Sequence, residues 1–191
     1  MGITAENIVN KYGITRAEQD EFAINSQAKA IAAVDSGAFK DEIVPVVIKT
    51  RKEEIVFDTD EYPNRKTSLE KLGTLRPAFV KDGSVTAGNA SGINDGAAFL
   101  MVASEDAVKE NNLKPLVEIV AIGQGGVDPQ VMGLGPVPAI RNVLKNAGLK
   151  LSDMEIIELN EAFAAQSLGV IHELIEEHGV TKEWIMERTN V

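Results

Sequence analysis

The chain has no cysteine among its 191 residues. It therefore carries no disulfide framework. Histidine is almost missing too: His172 and His178 are the only two, six positions apart on one predicted helix. At about 100° per residue they are separated by roughly 240°, so they do not share a face. The run His172-Glu173-Leu174-Ile175-Glu176 has the start of a zinc-protease helix but lacks the second histidine at i+4. Both histidines read as solvent-facing residues of an acidic helix end, and no metal site is expected. No Ser-His-Asp signature and no P-loop occurs. Long apolar runs are absent as well. The longest, Ala97 to Ala103, falls far short of the roughly 20 residues that a membrane-spanning helix needs. Basic residues are outnumbered, 19 against 29 acidic, for a net charge of −10. That balance argues against nucleic acid as a partner.

What is present is ordinary for a soluble globular chain: 44% hydrophobic and 25% charged. The first residues are amphipathic and polar, unlike a secretory leader, and the cytoplasm is the expected location. A short helix is expected from Ala5 to Tyr12, ended by Gly13. Thr15-Arg16-Ala17-Glu18 is a capping box opening a helix to about Ser36, with Gly37 as the residue after its end. Phe22, Ala23, Ala30, Ile31 and Val34 form its predicted buried stripe. Two β-rich runs, Glu42 to Lys49 and Glu54 to Phe57, can pair as a hairpin, with Pro45 at an edge or bulge. From Asp58 to Gly96 the chain reads as loop, broken by a short helix over 69–72 capped by Ser68. A loop of that length is uncommon unless it binds something.

From there the pattern alternates. Phe99 to Ala103 reads as a strand, and Ser104 caps a helix from Glu105 to about Asn111. Leu116 to Ile122 reads as a second strand. A glycine-rich stretch follows, then a helix from Ala139 to Ala147 behind Pro138. Met154 to Leu159 reads as a third strand, and Phe163 to His178 as a helix with Phe163, Leu168, Ile171, Leu174 and Ile175 toward the core. The alternation predicts an α/β fold: a loop-rich α+β segment over 1–96, then part of a layered α/β domain over 97–191.

Three stretches carry chemistry. Glu158-Leu159-Asn160-Glu161-Ala162-Phe163 joins the third predicted strand to its helix. Ligands of open α/β sheets bind at such strand ends. A neutral amide at Asn160 can hold a water or help polarise a carbonyl without bringing charge. It can equally be an N-cap, with Glu161 in the first turn. The second stretch is Val85-Thr86-Ala87-Gly88-Asn89-Ala90-Ser91-Gly92-Ile93-Asn94-Asp95-Gly96-Ala97-Ala98, whose glycines permit close approach to the main chain. It reads either as a turn-rich loop or as a binding loop, and it is not the dinucleotide fingerprint. The third is Val131-Met132-Gly133-Leu134-Gly135-Pro136-Val137-Pro138-Ala139. The Met132 thioether suits either a core gap or a thioester tail.

Taken together, in this order, these stretches resemble the thiolases: the NEAF motif, the glycine-rich loop and the MGxGP segment. The resemblance runs from the first residue to about Gly179. It implies a thiolase-type fold and acyltransferase activity, interconverting acetoacetyl-CoA plus CoA with two acetyl-CoA. Coenzyme A enters as substrate and product, no cofactor is tightly bound, and the intact enzyme is a homodimer or homotetramer. The net negative charge does not exclude CoA. Arg51-Lys52 and Arg65-Lys66 are candidates for its phosphates, or solvated loop charge. By resemblance, Ser91 contacts the pantetheine arm, and Ala87 and Ala90 line the same channel. Met132 faces the acyl and pantetheine pocket, Ala162 and Phe163 wall it, and Met1 lies on the other side of the thioester. Asn160 matches the residue that holds an oxyanion water. Residues 1–96 would be a portion of the CoA-covering loop domain, which also makes oligomer contacts. Residues 97–191 would be the first part of the C-terminal domain.

The departures matter as much. Thiolases use two catalytic cysteines and a histidine in a GHP segment, and none of the three is in this sequence. Where many thiolases place an arginine near the adenine, this chain has Asn64, with Arg65 beside it. The expectation is an internal portion of a thiolase that is inactive by itself. The rival expectation is a stand-alone, non-catalytic CoA-binding or assembly module.

Overall fold

The computed structural model describes residues 1–190. Helix α1 spans Gly2–Tyr12 and α2 spans Arg16–Ser36. The capping box at the start of α2 is complete: Thr15 Oγ1 accepts from the Glu18 N–H at 3.2 Å, and the Thr15 N–H donates to Glu18 Oε2 at 2.7 Å. The Thr15 backbone hydrogen bond is the main reason the Glu18 carboxyl sits below its usual range. Gly13 and Gly37 end the two helices in the left-handed region, at φ 65° and 73°, which costs glycine little. Strands β1 (Val46–Lys49) and β2 (Glu54–Phe57) form the antiparallel hairpin, with Val46 opposite Phe57. Pro45 precedes β1, so the strand starts later than the β-rich run. Helix α3 (Leu69–Gly73) starts at Ser68 and α4 (Glu105–Glu110) at Ser104, and each serine caps as its sequence predicts.

A 3-10 segment at Pro129–Leu134 leads into α5, Pro136–Ala147, which starts at Pro136 rather than after Pro138. Strand β3, Ile157–Glu158, is only two residues long. Helix α6 spans Ala164–His178 and α7 spans Lys182–Arg188. The chain then forms β4, Thr189–Asn190, parallel to β3. Neither α7 nor β4 was expected.

The core lies around α6. Ile8 of α1, Phe22 of α2, Leu144 of α5, Leu174 of α6 and Ile185 of α7 are all buried in it. Each such side chain contributes about 1.5–3 kcal/mol on burial. The approach of α1 to α6 requires glycine. A Cβ at Gly169 would lie 2.6 Å from Ile8 Cγ2, and one at Gly133 would lie 2.9 Å from Ile8 Cδ1. Outside this contact, Tyr12 donates a short hydrogen bond to Glu173, and Lys11 Nζ lies 3.1 Å from the same carboxylate. At the far end of α6, Arg141 of α5 makes two bonds to Glu177, at 2.5 and 2.7 Å.

The sheet departs from expectation. Among the described residues, Phe99 to Ala103 and Leu116 to Ile122 form no strand, and Phe99 and Leu116 are 94% and 98% exposed. A strand forms through a neighbour's backbone ladder and packing on its faces, and among the described residues no strand pairs with either segment. The stripe of α2 is also narrower: Phe22 and Ala23 are buried, while Ala30, Ile31 and Val34 are only half-covered. Its remaining buried positions are polar, Gln19 and Asp20. Nor is His178 solvent-facing; its side chain is 17% exposed and its Nε2 is buried. His172 is exposed, tilted against the Tyr12 ring at 4.8 Å. No helix of the described residues is long and apolar enough to cross a membrane.

Candidate functional site

The C-terminal end of β3 delivers the segment 159–163 to the N-terminus of α6. Leu159 anchors it in the core, 8% exposed, and leaves Asn160 at the surface. Helix α6 starts at Ala164, with Phe163 in the N-cap position. Asn160 therefore does not cap α6, and Glu161 is not in its first turn. The Asn160 carbonyl instead accepts from the Ala162 N–H at 3.2 Å. Gln166, at the third position of α6, reaches back so that its Oε1 accepts from the same Ala162 N–H, also at 3.2 Å.

The glycine-rich loop zips onto this segment. The Ser91 N–H donates to the Ala162 carbonyl at 3.0 Å, and the Ala164 N–H donates to the Asn89 carbonyl at 2.9 Å. Ala90 and Phe163 form an antiparallel bridge between them. Phe79 meets the Phe163 ring edge-on at 6.1 Å, a favoured aromatic geometry.

Two clefts flank the zipper. The first, about 210 Å³, lies among Met1, Met132, Asn160, Ala162 and Phe163, with Gln166 at its wall. It is mainly apolar, and Asn160 and Gln166 are the amide-bearing residues in its lining. The second, about 340 Å³, is lined by Ser26, Tyr62, Ala90, Ser91, Asn94 and Glu161 among others. Ser26 Oγ donates to Glu161 Oε2 at 2.6 Å across its wall. Of the eight residues singled out from the sequence, five thus meet in the first cleft and two in the second. Ala87 is exposed and lines neither.

Sequence reasoning missed Gln166, Ser26 and Tyr62. The position of Gln166 was legible, since a glutamine at N3 commonly reaches back to the main chain before its helix. Ser26 and Tyr62 carried no local signal; only the packing of α2 and the long loop brings them to Ser91. The basic candidates look elsewhere. Arg65 holds Asp35 through two bonds, at 2.9 and 2.6 Å. That pairing lowers the Asp35 carboxyl below its usual range and raises the guanidinium. Arg51 and Lys52 sit exposed at the hairpin turn. Among the described residues no three His, Cys, Asp or Glu side chains cluster as a metal site would require.

Comparison with known proteins agrees with this architecture. The family model described as thiolase, N-terminal domain, matches residues 1–106, and that described as thiolase, C-terminal domain, matches residues 113–191. The chain is 59% identical over 174 residues to the acetyl-CoA acetyltransferase of Syntrophomonas wolfei, an alignment covering 91% of this chain and 44% of that protein. The crystal structure of the Bacillus anthracis acetyl-CoA acetyltransferase superposes with a TM-score of 0.91 at 50% identity, over 100% of this chain and 46% of that one. Human mitochondrial 3-ketoacyl-CoA thiolase, in complex with CoA, gives 0.86 at 46% identity, over 99% and 45%. The chain thus spans less than half the length of the relatives it matches. With family models covering both parts of the chain and its α/β fold superposing on solved thiolases, it belongs to the thiolase family.

Proposed function

We propose that this chain is part of an acetyl-CoA C-acetyltransferase that interconverts acetoacetyl-CoA plus CoA with two acetyl-CoA. The carrying observation is the first cleft. Met1, Met132 and the pair Asn160 and Phe163 come from three separate stretches of sequence and line one mainly apolar space. That space fits an acyl thioester tail, with two thioethers to pack against sulfur and carbon. The second cleft, beside Ser91 and Ala90, fits the pantetheine arm, which carries amides that a polar wall can bind.

Asn160 would hold a water against the thioester oxygen as enolate charge develops there. In thiolase chemistry a cysteine thiolate accepts the acyl group from the thioester sulfur and CoA leaves. No residue here can do that, because the chain has no cysteine. Its own share is to bind and orient CoA thioesters and to stabilise one oxyanion. By itself it is catalytically incomplete. Residues 1–96 would cover the CoA and make oligomer contacts, and residues 97–191 would begin the C-terminal domain. The two exposed apolar segments, 99–103 and 116–122, would join the sheet of the complete cytoplasmic homo-oligomer. Coenzyme A would be substrate and product rather than a resident cofactor.

An acetoacetyl-CoA cleavage assay tests the reading. The 191-residue chain should show no turnover, while a complete enzyme containing it should cleave acetoacetyl-CoA in the presence of CoA. Turnover by the isolated chain, after removal of contaminating enzyme, overturns the assignment. An inactive complete enzyme does so equally.

A further inference from the structure

The loop that carries Ser91 is held from beneath by buried polar side chains. Asn89 is 3% exposed and Asp20 is 4% exposed. Asn89 Oδ1 accepts from the Thr86 N–H at 2.8 Å, while Nδ2 donates to Asp20 Oδ1 at 3.0 Å and to the Ser84 carbonyl at 3.1 Å. The amide orientation is forced. A backbone N–H only donates, so oxygen must face Thr86; the remaining neighbours only accept. The other Asp20 oxygen holds Arg16 Nε at 2.7 Å. Further along, Glu6 of α1 accepts from the Ser84 and Val85 N–H groups, each at 2.9 Å.

A buried carboxylate is expensive unless fully paired. A merely space-filling position beside α2 would be met by an apolar residue. Asn89 does more than fill space, because its backbone continues into the zipper. Its carbonyl accepts from Ala164 N–H, Ala90 bridges to Phe163, and Ser91 N–H donates to the Ala162 carbonyl. A single residue thus ties α2, through Asp20, to the two strips that separate the clefts.

We propose that Asn89, held by Asp20, is a positioning residue that sets Ser91 and Phe163 at the register needed to bind the pantetheine arm of a CoA thioester. Asn89 contributes to the lining of the second cleft, but its side-chain amide is wholly engaged with Thr86, Asp20 and Ser84, so it acts through Ser91 and Phe163 rather than on the reacting atoms. The assignment rests on the CoA reading of the clefts, and the test separates the two.

The test uses Asn89→Asp, Asp20→Asn and the double variant in the complete enzyme. Asn89→Asp is nearly isosteric. It keeps the acceptor for Thr86 but loses both donated bonds and sets two buried carboxylates against each other. The double variant exchanges donor and acceptor across the pair. The new asparagine oxygen still faces Arg16, and its amide can donate to the new carboxylate. With the register disturbed, KM for CoA should rise about tenfold or more in Asn89→Asp while kcat holds within about twofold, the pattern of lost uniform binding. Hydrogen exchange at the Ser91 and Ala164 amides should quicken by a similar factor, with amides of α5 unchanged. The double variant should recover most of both effects.

Unchanged KM and exchange in Asn89→Asp overturn the proposal. So does a uniform loss of protection across the core that the double variant does not reverse, since that marks a purely structural residue. If the wild-type enzyme does not bind CoA at all, the functional reading falls, and the exchange measurements alone decide the positioning role.

Discussion

Gly169→Ala should destabilise the chain, although alanine is the better helix former. Within α6 the replacement gains roughly 0.8–1 kcal/mol of helix propensity. Against that stands the contact with α1. The added methyl would lie 2.6 Å from Ile8 Cγ2 and 3.3 Å from Leu134 Cδ2. Normal carbon–carbon contact is about 3.5–4.0 Å, so Ile8 or the whole of α1 must shift by about 1 Å. Ile8 is fully buried and presses against Gly133 on its other side, which leaves little slack. Overpacking of this kind costs about 1–3 kcal/mol, and we expect a net loss of about 1–2 kcal/mol after the propensity gain. The cost reaches function, because Ile8 and Gly133 line the first cleft. Urea unfolding followed by Trp184 fluorescence measures it, Trp184 being the only tryptophan and packed against the core. Ile8→Ala alone should cost about 2–5 kcal/mol by opening a cavity. Combined with Gly169→Ala, the cost should fall clearly below the sum of the two, since the new methyl enters the vacated space. A Gly169→Ala protein as stable as the parent, with an additive double variant, would refute the claim that the Ile8 contact dictates glycine.

Two further outcomes follow from the site and its frame. Asn160→Ala in the complete enzyme should lower kcat by about 10²-fold, the scale for losing one oxyanion donor, while leaving the urea midpoint unmoved, because Asn160 does not cap α6; a lowered midpoint with normal kcat would return it to a structural role. The Tyr12–Glu173 clasp should confer stability with two pH edges. The Tyr12 hydroxyl, then Lys11, holds the Glu173 carboxyl below its ordinary range, so that contribution is complete above about pH 4.3 and is lost as pH falls through the lowered value. Burial, then Glu173, raises the Tyr12 hydroxyl, so its contribution is complete below about pH 10 and is lost as pH rises through the raised value. Tyr12→Phe should remove about 1 kcal/mol near neutrality, the charged hydrogen-bond scale discounted for solvent screening, and should flatten both edges of the stability–pH curve. A curve unchanged in shape would sink that account.

Elements whose cause is local were legible in the sequence. Thr15 and Glu18 satisfy the first N–H groups of α2 within four residues, and Ser68 and Ser104 do the same for α3 and α4. Gly13 and Gly37 end helices because positive φ costs them little. The β1–β2 hairpin pairs across a short turn, so it too forms from neighbours in sequence. The site was legible through its three motifs and their resemblance to a family, and the assignments to Asn160, Ser91 and Met132 came from that resemblance. What needs partners far along the chain was decided only in three dimensions. An apolar run such as 116–122 has strand composition, but without a neighbouring ladder it forms no strand and lies largely exposed. The polar residues Gln19 and Asp20 of α2 are buried because partners distant in sequence receive them: Asp20 meets Asn89 and Gln19 meets Ser84, at 3.0 and 2.8 Å. Parallel pairing of β3 with β4 likewise joins residues about thirty apart. The two clefts have the same origin. No local rule places Met1 beside Met132 and Asn160; the close packing of Ile8 between Gly133 and Gly169 does, because only there can α1 approach α6 closely enough for the three to share one space.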